Sequence, residues 1–519
     1  MSEVTESFEE FLSDVKKVPR AQMCAWMHSQ WTGISKLDYF DPSKPYFVPG
    51  QLADVWKFLI LYGRQRKHLG HFDPSRPLNR YKRFWSLAEA ENKYADQPEF
   101  LTVFVFRLLC QQQSFLISPQ RVEQAFRQTR AIYLEGEPKL PAAAFNVAGN
   151  FMSHFGLRLE DFLSLAESLY GYFKDGPVAS KRDFASQVPP ALHEKLGLAL
   201  EILSADEAKY RDLHESASAV ELNERPYEFN PSLRYPIFRS GQDYWCPFPE
   251  LIVYAATRGL FFLLSDTFRS RFSRTFGELF SDYARRLTKS SLGSATVLSE
   301  ADERQLGLEG KTNDITVIIQ DVAVLIECKA SALFSAAKRH ATVEEIRADI
   351  RKNLVNVEKG KGLIQLYEKY RAIGAGELPP ALAAKYQQVG RSFPVLLLYD
   401  RVQQANAPQT LRNLLLHELR EAGIPEFPFQ IWHIEELENL YELCGRAGFL
   451  EVVREKFDGT KYRYCDLNTL LFESTGRGYL RAYGFLPAGD TRAAQIIKQL
   501  TENRSATNGN PQTSSGATT

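Results

Sequence analysis

Over residues 1–225 apolar positions recur at three- and four-residue spacing, as in Phe162 to Phe173 and Leu192 to Leu203, which predicts amphipathic helices. Breaks near Pro42, Pro74 and Pro189 punctuate them, and the stretch is expected to form a large, mainly α-helical N-terminal domain. At YPIFRSGQDYWC (235–246) two β-prone runs flank Ser240 and Gly241, predicting a hairpin inside a connector over 226–264. Helical periodicity then returns. Phe272, Phe276, Leu279, Phe280, Tyr283 and Leu287 fall on one apolar stripe, where the next domain begins near residue 265.

Beyond Gly293 the pattern alternates between α and β. ATVLS and DITVIIQDVAVLIECKA are followed by a helical stretch from Val343 to Tyr370, the strand PVLLLYD (394–400), a helix around Leu411 to Glu421, the strand FQIWHI and a short helix at Glu435 to Cys444. Strands covered on both faces read as continuous apolar runs, so 265–445 is expected to be an α/β domain. Residues 446–500 read as helical again. The tail 501–519, TENRSATNGNPQTSSGATT, has little that could offset the entropy of ordering it and is expected to be disordered.

Composition changes this picture little. The chain has 519 residues, with 44% hydrophobic, 24% charged and 12% aromatic residues, as in ordinary globular proteins. Its 63 basic and 63 acidic residues cancel, so any nucleic-acid surface must be a local patch on a neutral body. The cysteines Cys24, Cys110, Cys246, Cys328, Cys444 and Cys465 form no CxxC pair, which disfavours a zinc ribbon or a disulfide framework and fits a reducing cytoplasm. The acidic start lacks the cationic and apolar regions of a signal peptide, and the apolar stretches Phe100 to Cys110 and Leu251 to Leu264 are too short to span a bilayer. No membrane partner is expected.

The informative segment runs from Asp314 to Lys329. A two-residue turn at Gln320 and Asp321 would pair Ile319 with Val322, and the same register sets Asp314 opposite Glu327, with Cβ atoms about 4.5–5.5 Å apart. Lys329, two residues on, shares the face of Glu327, while Cys328 points the other way. Two carboxylates gathered in an apolar hairpin call for positive charge, and a hard divalent cation is the natural candidate. Mg²⁺, with Mn²⁺ as the alternative, takes one or two carboxylates plus waters and phosphate oxygens, and would suit phosphodiester hydrolysis with Lys329 placing the water.

Asp314, the apolar strand and Glu327-Cys328-Lys329 resemble the PD-(D/E)XK nuclease superfamily. The resemblance implies a restriction-endonuclease-like mixed sheet flanked by helices over about 265–445, with catalytic Asp314, Glu327 and Lys329. It also implies a metal held by Asp314, Glu327 and the backbone carbonyl of Cys328. Gly277-Glu278-Leu279-Phe280 and Tyr283 resemble the family's first core helix, which implies an assisting carboxylate at Glu278. Asn313 stands where the family name has proline. Glu-x-Lys also occurs at Glu91, Glu137, Glu207 and Glu309, but only Glu327 ends an apolar β run with a matched upstream Asp. Gln365 resembles the Gln of the Gln-x-x-x-Tyr element of RecB-like nucleases, with tyrosines two and five residues on instead of four.

Lys338, Arg339, Arg351, Lys352, Lys359 and Lys361 make the following helical region locally basic, a candidate phosphate-binding face together with Gln365. Gly310-Lys311-Thr312 lacks the first glycine of a phosphate loop, which would fall at Gln305, and His417-Glu418 lacks the second histidine of a zinc-protease helix. The expected function is a Mg²⁺-dependent nuclease acting on DNA in preference to RNA. Its helical domain would meet substrate, a second copy or a partner protein, an arrangement that resembles prokaryotic anti-phage defence effectors. The alternative is a nuclease fold that binds or assembles without cutting.

Overall fold

The computed structural model describes residues 2–35, 49–63, 73–91, 121–136, 145–217, 225, 228–293, 295–310, 312–330, 343–399, 407–459, 461–463, 465 and 467–475. Lys338, Arg339, the stretch from Phe100 to Cys110 and the tail 501–519 lie outside them. The chain is mixed α/β. Four short strands, β1 (Val178–Ser180), β2 (Ser204–Ala205), β3 (Ile237–Ser240) and β4 (Asp243–Trp245), form a small sheet in the order β1-β4-β3-β2. The expected hairpin is β3–β4, closed at Ser240↔Asp243 around Gly241, whose φ of 64° suits a residue without Cβ.

The main sheet has five strands: β5 (Thr296–Ser299), β6 (Ile315–Ile319), β7 (Val322–Lys329), β10 (Arg391–Leu398) and β11 (Gln430–His433). Its order is β11-β10-β7-β6-β5, antiparallel from β5 to β7 and parallel from β7 to β11. Parallel neighbours need crossover connections, and these are helical: Val343–Asn353 and Leu363–Ala375 lie between β7 and β10, and Ala407–Glu421 lies between β10 and β11.

Both sheet faces are covered. Val322, Val324, Ile326 and Cys328 share a core with Phe272, Phe276, Phe280 and Leu287 of the long helix Arg258–Leu292 and with the helix Ile434–Asp458. Ala323, Leu325, Leu396 and Leu398 point the other way, toward Leu363, Leu366, Leu411 and Leu415. Helices from Val122 to Leu203 join the long-helix core, whereas Val4 to Ala88 pack with Phe238, Trp245 and Leu251 in a separate cluster. The stretch 1–225 thus serves two cores. Among the described residues no single helix is long and apolar enough to cross a membrane.

Two elements depart from the sequence pattern. The helix expected from Val343 to Tyr370 is interrupted by β8 (Val355–Asn356) and β9 (Lys361–Gly362), with positive φ at Gly360 and Gly362. The short helix expected to end at Cys444 continues to Asp458 across a break at Gly445, φ 56°. A Cβ at Gly362 would lie 2.1 Å from the Leu354 carbonyl oxygen, whereas one at Gly374 meets nothing within 4 Å. Gly362→Ala should therefore cost about 2 kcal/mol or more, and Gly374→Ala should be neutral or mildly stabilising. Thermal melts of the two variants check this, and equal melting temperatures would contradict it.

Candidate active site

The hairpin register is the one that brings the acids together. Ile319 pairs with Val322 and Ile315 with Ile326, so one further step sets Asp314 against Glu327. Gln320 turns the chain with φ 54°, and Asp321 anchors the reversal by accepting from the Gly390 and Arg391 backbone N–H groups and from Arg454. Asp314 stands one residue before β6, outside the ladder, where its carboxylate reaches both sides of the sheet end. Oδ2 accepts the Cys328 N–H at 2.8 Å, and Oδ1 accepts Ser281 Oγ of the long helix at 3.2 Å.

Glu327 is 2% exposed. Its Oε1 accepts Lys329 Nζ at 2.6 Å, and its Oε2 has no hydrogen-bond partner among the described residues. Burial, reinforced by the nearby Asp314 charge, raises the Glu327 carboxyl to about 8, against the pull of Lys329. Burial disfavours the Lys329 ammonium, but the carboxylates of Glu327 and Asp314 outweigh it and hold Lys329 above its ordinary value. The Lys329 carbonyl accepts the Tyr399 N–H on the β10 side, so backbone alternation turns Cys328 toward Asp314, where its N–H already donates. Its carbonyl faces the same side.

Glu278 lies one turn before Ser281 on the long helix, and its Oε2 is buried without a hydrogen-bond partner among the described residues. Among the described residues no hydrogen bond or ion pair joins Glu278 to Asp314, Glu327 or Lys329. Accordingly, among the described residues no group of three or more His, Cys, Asp or Glu side chains could hold an ion together. The donor set is a pair of carboxylates with a backbone carbonyl beside it. That set suits Mg²⁺, which takes few protein oxygens and keeps waters, and the unpartnered Glu327 Oε2 is the atom that a cation would satisfy.

A brace that the sequence did not reveal holds the segment before Asp314. Glu303, 1% exposed, accepts Thr312 Oγ1 at 2.7 Å, Thr316 Oγ1 at 2.9 Å, Lys369 Nζ at 3.0 Å and Tyr386 OH at 3.1 Å. Gln365 belongs to this brace. Its Nε2 donates to the Thr312 carbonyl at 2.8 Å and its Oε1 accepts the Gly362 N–H at 3.0 Å, which leaves it buried with its amide engaged. The expected phosphate face divides. Arg351 joins Arg347 on the buried carboxylate of Glu418, while Lys352, Lys359 and Lys361 are exposed. Ser281 could have been found from its spacing to Glu278, whereas Glu303 carries no signal in a single sequence.

No protein-family model, curated protein or solved structure matches this chain.

The raised Glu327 carboxyl makes a pH prediction. Its folded value of about 8 exceeds the ordinary 4.5, so between those values the folded state holds a proton that the unfolded state releases. The stability of the metal-free protein should therefore fall as pH rises through that window, and Glu327→Gln should flatten the fall. A divalent cation seated on Glu327 would have to displace the same proton, so a Mn²⁺ stabilisation arising there should be larger at pH 9 than at pH 6. Melting temperatures at the two pH values, with and without Mn²⁺, read both effects; a pH-independent Mn²⁺ shift would contradict the assignment.

Proposed function

We propose that the chain is a metal-dependent nuclease that hydrolyses phosphodiester bonds of DNA. The observation that carries this reading is the convergence of Asp314, Glu327 and Lys329 at one end of a mixed sheet, with one buried Glu327 oxygen unpartnered. A mixed sheet flanked by helices carries these residues, which supports the reading. A divalent cation bound there would lower the pKa of a bound water and offset charge on the leaving oxygen.

The chain's own residues supply the rest. Asp314 is held by two hydrogen bonds, so it is preorganised to bind a cation. Glu327, its carboxyl raised to about 8 by burial, would release its proton in order to hold a cation. Lys329 spends one of its three donors on Glu327 and keeps its ammonium charge, which suits it to orient an attacking water and to stabilise charge on a phosphate oxygen. The walls of Leu325, Leu396 and Leu398 exclude water behind the acids and strengthen these electrostatic terms.

The reading is tested by incubating the purified chain with plasmid, linear duplex and single-stranded DNA in Mg²⁺ or Mn²⁺, with RNA for comparison. Cleavage should require the metal and fall by about 10²-fold or more in Glu327→Gln and in Lys329→Ala. Undiminished cleavage by either variant would remove that residue from the mechanism. Retention of DNA without metal-dependent turnover would favour the binding-module alternative, and turnover only after a partner or infected-cell extract is added would favour a latent defence effector.

A further inference from the structure

The long helix breaks at Arg269, whose φ of 54° is non-helical, and its second half begins there. At about 100° per residue, Arg271, Arg274, Glu278 and Ser281 fall on one side of this half, opposite the buried stripe of Phe272, Phe276, Leu279 and Tyr283. The two arginines are exposed, and among the described residues neither forms an ion pair or a side-chain hydrogen bond. Five other basic residues of the flanking helices are engaged: Lys369 with Glu303, Arg285 and Arg286 with Asp282, and Arg347 and Arg351 with Glu418. Unpaired guanidinium groups thus lead along the helix to Ser281, which touches Asp314.

Resting on the nuclease reading above, we infer that Arg271 and Arg274 form a phosphate track that carries the substrate strand's backbone toward Asp314 and Glu327. The helix rises about 1.5 Å per residue, so Arg274 lies about 10 Å and Arg271 about 15 Å along the axis from Ser281. Phosphates on one strand of a duplex rise about 3.4 Å each, so the two side chains would meet the backbone about three and four to five nucleotides from the scissile bond. Guanidinium forks bind phosphate bidentately and carry no sequence information, so the track fixes the register of the strand and leaves its sequence unread.

The test is fluorescence anisotropy of labelled single-stranded and duplex DNA against the full-length chain in EDTA, over a range of salt concentrations, with Mg²⁺-dependent cleavage measured in parallel. Arg271→Ala/Arg274→Ala should bind about tenfold more weakly, and its log–log salt slope for single strands should shrink by about 1.4, the loss of two phosphate contacts. KM should rise with it. Arg271→Lys/Arg274→Lys should recover most of the slope, and the Mn²⁺ thermal shift should stay at the wild-type value in both variants, which shows the sheet end intact. Wild-type binding, slope and KM in the alanine variant, with cleavage still metal-dependent, would overturn the track alone. A wild-type chain that neither binds nor cuts DNA would overturn the track and the nuclease reading together.

Discussion

The structure depends on one turn register. The two-residue reversal at Gln320 and Asp321 closes the Ile319–Val322 pair, and period-two alternation then carries Glu327 and Lys329 to one face and Cys328 to the other. A slip of one residue would bury the opposite set of side chains and separate Asp314 from Glu327. Two features resist that slip. Asp321 ties the turn to Gly390, Arg391 and Arg454, and the apolar faces of β7 are matched to different helical layers. The consequence is a carboxylate held in an apolar wall with one oxygen unsatisfied, a state that costs free energy unless a proton or a cation compensates it.

The surroundings make that state rigid. Glu303 and Lys369 form a nearly fully buried pair whose hydroxyl partners Thr312 and Thr316 bracket the approach to Asp314. On the other face, Tyr283 of the long helix donates to Glu438, which also accepts from Gln124 and Gln128 of the helix Val122–Tyr133. Tyr399, next to the β10 residue that flanks Lys329, packs against Phe261, Phe276 and Phe280. The helical region from Val122 therefore shares a core with the sheet that carries the acids.

Much of this was legible in the sequence because it follows from local periodicity. The stripe from Phe272 to Leu287 is buried as expected, the β6–β7 turn falls at the expected residues, and β3–β4 closes around Gly241. What escaped depends on partners distant in the chain. β1 and β2 are short strands that exist through pairing with β4 and β3, and Glu303 meets Lys369 and Tyr386 only in the fold. The split of the helix after Val343 had a local signal in Gly360-Lys361-Gly362, two glycines with positive φ, which the apolar periodicity around them masked. Gln365 reads as a solvated helix residue or a substrate contact, yet its amide is taken up by backbone groups of two other segments.

The central claim is that the register around Gln320 builds a seat for a divalent cation between Asp314 and Glu327. A crystal of the chain soaked in Mn²⁺ at pH 8 or above, with data collected at the manganese edge, tests it most directly. An anomalous peak within coordination distance of Glu327 Oε2 and an Asp314 oxygen, absent from Glu327→Gln crystals, is the predicted result. A full Mn²⁺ soak with no peak there, with Lys329 Nζ still hydrogen-bonded to Glu327 Oε1, would contradict it.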